Sequence, residues 1–99
     1  MINTFESVKV LKVGKVDSLA TNFKPASGKS FHILIAPKAG SELAPGDVVV
    51  ISAKPVKNDS AVEVPIVVGD WNPTLLEFIT AGAVDLTNDD VFYSEVDTY

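Results

Sequence analysis

Valine-rich stretches in which apolar side chains recur at every second position constrain this chain more than any other feature. The clearest are residues 62–68 and 31–35. Successive side chains of a strand point to opposite faces, so a period of two gives a strand one apolar face. β-branched side chains also suit a pleated sheet better than a helix. These segments therefore predict strands and a mainly β fold.

The N-terminal segment 5–16 also alternates, but its phase slips at Leu11. One slip is typical of a strand that carries a bulge or a bend, for which Gly14 is a natural place. A helix through Phe5, Val8 and Leu11 is the competing interpretation. Three valines and a glycine weigh against that helix.

Other segments predict further strands. Residues 48–51 form an unbroken apolar run, which is typical of a strand buried on both faces. Residues 19–23 could form a short strand, and residues 83–86 and 91–96 resemble a pair of strands around a polar turn. Pro65 cannot donate to a ladder, so it predicts that the strand over 62–68 lies at a sheet edge or carries a bulge.

Residues 73–80 give two opposing signals. Asn72 before Pro73 matches a helix N-cap followed by proline at the first helical position, and Gly82 could end such a helix. A strand over 75–79 is equally compatible with the residues. The segment therefore predicts either a short helix or a strand.

Together these segments predict an all-β fold, a small β-sandwich or barrel of six to eight short strands with at most one short helix at 73–80. A length of 99 residues suits one domain spanning 1–99. The chain contains no cysteine, so stability must come from packing.

Charge is unevenly distributed along the chain. All eight lysines lie in residues 1–57 with four acids, for a net charge of +4, whereas residues 58–99 hold nine acids and no base. If the two halves separate in space, copies could dock head to tail through complementary potentials. If the strands interleave, the charges are ordinary surface charges.

Residues with catalytic potential are sparse, and we expect no enzyme, no cofactor and no metal site. His32 is the single histidine and lies inside an apolar alternation, as a half-buried strand histidine would. Gly28-Lys29-Ser30 ends like a phosphate-binding loop but lacks the first glycine of that motif. The acids at 85–90 lack the ligand spacing of a calcium loop and predict a solvated turn.

Aromatic residues offer two kinds of binding site. Lysines interleave with Phe5, Phe23 and Phe31 in the first third of the chain, so a single-stranded nucleic-acid-binding β-barrel with an acidic C-terminal segment is the alternative function. The candidate interface lies near the other end and consists of Trp71, Pro73, Phe92, Tyr93 and Tyr99. Such side chains anchor cores as well as interfaces, and Trp71 or Tyr93 could also stack on a small ligand or a carbohydrate.

Residues 69–93 resemble the closing segment of small structural proteins of tailed-phage virions, including head decoration proteins. The segment contains Gly-Asp-Trp-Asn-Pro, Leu-Leu-Glu-Phe-Ile, Ala-Val-Asp-Leu-Thr and Asp-Val-Phe-Tyr, and the likeness rests on Trp71, Pro73, Ile79, Asp85, Leu86, Val91 and Tyr93. The resemblance implies a non-enzymatic protein that is made in the host cytoplasm and sits on the virion in many copies. Its partners would be itself, a major capsid protein or another virion protein.

A membrane role is not expected. The longest apolar runs are strand-sized, far below the roughly 20 residues that a helix needs to span a bilayer. The N-terminal residues also lack the apolar stretch of a signal peptide, so no export is expected.

Overall fold

The computed structural model describes residues 9–97 and shows an all-β chain with no helix in that range. Its six strands are β1 (Lys9–Lys15), β2 (Ser30–Pro37), β3 (Val48–Pro55), β4 (Val62–Val67), β5 (Leu76–Ile79) and β6 (Asp89–Asp97). They form one antiparallel sheet in the order β1-β6-β2-β5-β3-β4. Over the same range, no helix could cross a membrane.

The sheet folds over itself into two layers. Strands β1, β6 and β2 pair along most of their lengths, as do β3 and β4, but β2 meets β5 at the single pair Phe31 and Leu76. Such a narrow junction lets the sheet turn, and the molecule measures 41 × 33 × 21 Å. The short dimension fits two sheet layers about 10 Å apart with their outer side chains. The fold is therefore sandwich-like.

The core fills the space between these layers. Phe31, Ile33 and Ile35 alternate inward along β2, while Val64 and Ile66 point inward from β4. The other core residues are Val16, Leu19, Ile51, Ala53, Val68, Leu76, Ile79, Val91 and Tyr93. The period-two apolar pattern thus supplies both facing surfaces.

Asn72 joins the two layers where the chain leaves β4. Its backbone N–H donates to the Ile33 carbonyl of β2 at 2.8 Å, and its side-chain amide donates to the Pro65 carbonyl of β4 at 3.0 Å. Its Oδ1 atom accepts the N–H of Thr74 at 2.8 Å. Asn72 is buried, so each of these bonds also satisfies a group that water cannot reach.

Gly14 is required by a contact across the sheet rather than by backbone strain. It pairs with Tyr93 of β6, and a Cβ atom added at Gly14 would lie 2.6 Å from the Tyr93 hydroxyl oxygen and 2.7 Å from Cζ. The Tyr93 ring is held by Phe23 and Phe31, with ring centroids 5.0 and 6.2 Å away. Glycine therefore provides the space in which this ring packs.

The described structure confirms most predicted strands. The strands predicted over 31–35, 48–51, 62–68 and 91–96 are present. Strand β4 lies at the sheet edge, as Pro65 predicted. The register of β1 shifts between Val10 and Lys12, which is where the phase slip at Leu11 lies. Gly14 is not the site of that bulge. The part of the prediction that covers Phe5 and Val8 lies outside the described residues.

Two local predictions are wrong. Residues 19–23 contribute one bridge from Phe23 to Ile79 and no strand, and residues 83–86 form no strand. Of the two alternatives at 73–80, the strand is confirmed by β5 and the helix is absent. In β5, Glu77 is skipped between the pairs Phe78–Lys54 and Leu76–Pro55. This irregularity turns both Leu76 and Ile79 inward, which reproduces the three-residue apolar spacing of a helix. Long-range pairing with β3 overrides the local helix signal.

The basic and acidic parts of the chain interleave. Strand β6 lies between β1 and β2, and Asp90 contacts Lys15 at 3.2 Å and Lys38 at 3.4 Å. Lys54 also contacts Glu77 at 3.1 Å. Burial alone would raise the pKa of Asp90, but the two lysine ammonium groups outweigh it and hold the pKa below its ordinary value.

We expect Gly14→Ala to destabilise the fold by about 1–3 kcal/mol, because its Cβ would displace a packed ring. Strand propensity alone would predict that alanine stabilises the fold, since glycine is unfavourable inside a strand. Urea unfolding decides between them. An alanine variant as stable as the parent chain would show that Tyr93 does not need the space.

We expect Asn72→Ala to lower the free energy of unfolding by about 1–3 kcal/mol, because it leaves buried polar groups unpaired. The matched control is Asn22→Ala, which removes one hydrogen bond to the Ala81 N–H at an exposed site. Urea unfolding should show a smaller loss for the control. Equal losses would contradict the role assigned to Asn72.

The Asp90 contacts predict a specific acid sensitivity. A carboxyl whose folded pKa is lowered stabilises the fold above its unfolded pKa, and that stabilisation is lost as pH falls through the folded pKa. The stability advantage of the parent chain over Asp90→Asn should therefore shrink between about pH 5 and about pH 2. Urea unfolding at a series of pH values measures this advantage. A difference in the free energy of unfolding that stays constant across the range would contradict the role assigned to Asp90.

Candidate docking surfaces

The outward face of the β3–β4 hairpin exposes a compact apolar patch, here called the hairpin face and defined by Val48, Val50, Pro65 and Val67. Val48 is 62% exposed and Val50 is 56% exposed. In the strand register Val48 is opposite Val67, and Val50 is opposite Pro65. Two adjacent cross-strand apolar pairs thus face solvent, which marks an interaction surface more often than single scattered residues do.

This patch corrects the prediction that residues 48–51 are buried on both faces. Ile51 is buried and Val49 partly so, whereas Val48 and Val50 point outward. An unbroken apolar run can arise from a strand buried on both sides or from one whose outer side is also apolar. The second case holds here because no further layer covers β3 among the described residues.

Two acidic residues border the hairpin face on its β4 side. Glu63 lies two residues from Pro65 on the same side of β4, and Asp70 follows the strand; both are exposed. Asp47 is also exposed, but by strand alternation it lies on the other side of β3 from Val48, and its carboxylate accepts the Ala44 N–H at 2.9 Å. Toward β5 the surface becomes polar, with the hydroxyls of Ser52 and Thr80 2.8 Å apart. The patch therefore has an apolar centre and a negatively charged rim.

The free edge of β4 is a poor template for an added strand. The backbone N–H and carbonyl of Val68 bond to Asp47 and Gly46 on the β3 side. Backbone groups alternate in direction along a strand. The backbone polar groups of Glu63, Pro65 and Val67 therefore point to the free edge. Pro65 has no N–H, its carbonyl accepts from Asn72, and the Val67 carbonyl accepts from the Asp70 N–H at 3.4 Å. Docking at this hairpin would use side chains rather than backbone pairing.

A second outward surface lies on the other layer, here called the β6 face and defined by Val13, Phe92, Leu34, Lys15 and Lys38. Val13 is 58% exposed, and Phe92 and Leu34 lie side by side in the register as half-buried neighbours. Lys15 and Lys38 share the single carboxylate of Asp90, which leaves this cluster net positive. The two faces lie on opposite sides of the molecule because their strands pack against each other through their inner sides.

The predicted interface residues do not form one cluster. Trp71 is 45% exposed and lies beside the β4 edge, and Pro73 is exposed nearby. Phe92 lies on the β6 face, whereas Tyr93 is only 8% exposed and belongs to the core. Tyr93 is thus unavailable as a surface contact or a ligand-stacking platform. Tyr99 lies outside the described residues.

Polar residues considered for chemistry have structural partners. His32 is half-buried, as expected, and its Nδ1–H donates to the Asn72 carbonyl at 2.9 Å. Asp85 accepts the Thr87 N–H and the Asn88 side-chain amide, and Asp89 accepts the Ser41 hydroxyl at 2.6 Å. These acids line an open cavity of about 440 Å³. No group of three or more potential metal ligands is present in the described part of the chain.

No protein-family model, curated protein or solved structure matches this chain significantly. The molecule's own surfaces and the resemblance of residues 69–93 are therefore the features that bear on its function. The most informative of those surfaces is the hairpin face.

Sequence reasoning missed Val48, Val50 and Val13 as surface residues, although a signal existed. The residues that oppose the inward series of β4 are Glu63, Pro65 and Val67, so two of the three outward positions are apolar. An edge strand with an apolar outer side predicts a surface patch. Its partner strand β3 could not be identified before the pairing was known.

Proposed function

We propose that this protein is a non-enzymatic structural or assembly protein that docks in many copies on a larger particle, and that it is a phage virion component such as a capsid decoration protein. The hairpin face is the observation that carries the proposal. The resemblance of residues 69–93 to structural proteins of tailed-phage virions supplies the kind of particle.

The geometry of the hairpin face supports docking. Val48 and Val50 are held on a paired strand with Val67 and Pro65 opposite, so a partner meets a preformed surface and little ordering is required on binding. Trp71 is 45% exposed four residues after the end of β4, and tryptophan is among the residues that most often anchor interfaces. The acidic rim favours a partner with basic groups around an apolar centre.

The alternative, single-stranded nucleic-acid binding, has less support. Phe31 is fully buried, and Phe23 packs against it with ring centroids 5.5 Å apart, so Phe31 offers no face on which a base could stack. A binding assay with labelled oligonucleotides at low salt tests this alternative, which requires an affinity that falls steeply as salt rises.

We predict that the double variant Val48→Thr/Val50→Thr binds assembled phage capsids about tenfold or more weakly than the parent chain, because each added hydroxyl would be buried without a partner. Threonine keeps the β-branched shape, so the fold should persist. Co-sedimentation with capsids measures the change.

Val62→Thr is the matched control, because Val62 is exposed on the same hairpin but lies in register with buried Ala53 and not on the hairpin face. It should bind as the parent chain does. Capsid binding that is equal for parent, double variant and control would contradict docking through the hairpin face. A parent chain that binds no capsid or other virion particle would contradict the proposed function itself.

A further inference from the structure

We propose that copies of this protein associate head to tail, with the hairpin face of one copy seated on the β6 face of the next. The inference goes beyond the proposed function: within an oligomer another copy occupies the hairpin face, and each open oligomer still leaves one hairpin face free to contact a particle. It depends on the chemistry of two surfaces on one chain.

Although the basic and acidic parts of the chain interleave along the sheet, the two faces differ locally in charge and complement each other. The hairpin face has an apolar centre with Glu63 and Asp70 at its rim. On the β6 face, Val13 lies two residues from Lys15, which shares the Asp90 carboxylate with Lys38. Seating one on the other places acids opposite lysines and valine side chains against valine. Complementary rims of this kind fix orientation and partner choice.

The alternative symmetric contact, hairpin face against hairpin face, is electrostatically unfavourable. A two-fold axis through this face would place Glu63 and Asp70 of both copies in the same interface, and like charges at an interface are repulsive. Lys54, the nearby lysine on the outward side of β3, is held by Glu77 at 3.1 Å. Charge therefore favours two different surfaces over one surface used twice.

The location of the two faces determines the product of such a contact. They lie on opposite sides of a two-layer molecule, so each added copy leaves one hairpin face and one β6 face free. A head-to-tail contact closes into a ring or continues as a row. Each face presents only a few apolar side chains, so a single contact is weak and becomes effective at high local concentration.

Sedimentation velocity over concentrations up to about 1 mM tests the inference. We expect the parent chain to form oligomers that grow with concentration, and both Val48→Thr/Val50→Thr and Val13→Thr to associate about tenfold or more weakly. Association should weaken as salt rises from about 0.05 M to about 0.5 M, because salt screens complementary rims. A symmetric contact between two acidic rims would instead become stronger as salt rises, because salt screens the repulsion between them.

Mixing the two variants separates head-to-tail association from every symmetric alternative. The Val13→Thr copy keeps an intact hairpin face and the Val48→Thr/Val50→Thr copy keeps an intact β6 face, so an equimolar mixture should recover dimers that do not extend. Val62→Thr should associate like the parent chain.

A parent chain that stays monomeric at about 1 mM, or variants that fail to recover dimers when mixed, would overturn the inference. These assays use purified protein without capsids, so a failure here leaves the capsid-binding result to decide the proposed function separately.

Discussion

The closure of two sheet layers onto each other is the constraint from which the other features of this structure follow. The junction between β2 and β5 is a single pair, so the bonds from Gly69 and Asn72 to the Ile35 and Ile33 carbonyls hold the end of β4 against β2. They fix which sides of β3 and β4 face the core. The opposite sides, with Val48 and Val50, are thereby committed to solvent.

In this arrangement the residues that stabilise the fold and the apolar residues that are exposed lie on opposite sides of the strands. The inward residues of β2, β4 and β6 form a continuous core, and the buried polar residues Asn72, Asp89 and Glu95 are each hydrogen-bonded. The outward apolar residues add little to that core. Their exposure on a rigid hairpin is more readily explained by contact with another molecule than by folding.

The sequence predicted the fold class and failed where long-range pairing decides the outcome. Alternation identified the strand over 62–68, and Pro65 identified its edge position, because both signals are local. The irregularity at Glu77 could not be predicted, since it depends on pairing with β3. The same limit applies to residues 48–51, because an apolar run does not say whether a second layer covers it. Of the predicted interface residues in the described part of the chain, only Phe92 belongs to one of the two faces, while Trp71 and Pro73 are exposed beside the β4 edge.

The most direct test of docking through the hairpin face is its accessibility in free and assembled protein. The chain contains no cysteine, so Val50→Cys introduces a unique thiol at the centre of the patch, and Val62→Cys provides the control. The account predicts that a thiol reagent modifies position 50 rapidly in the free monomer and much more slowly in assembled particles, while position 62 changes little. Equal reactivity at position 50 in both states would contradict it.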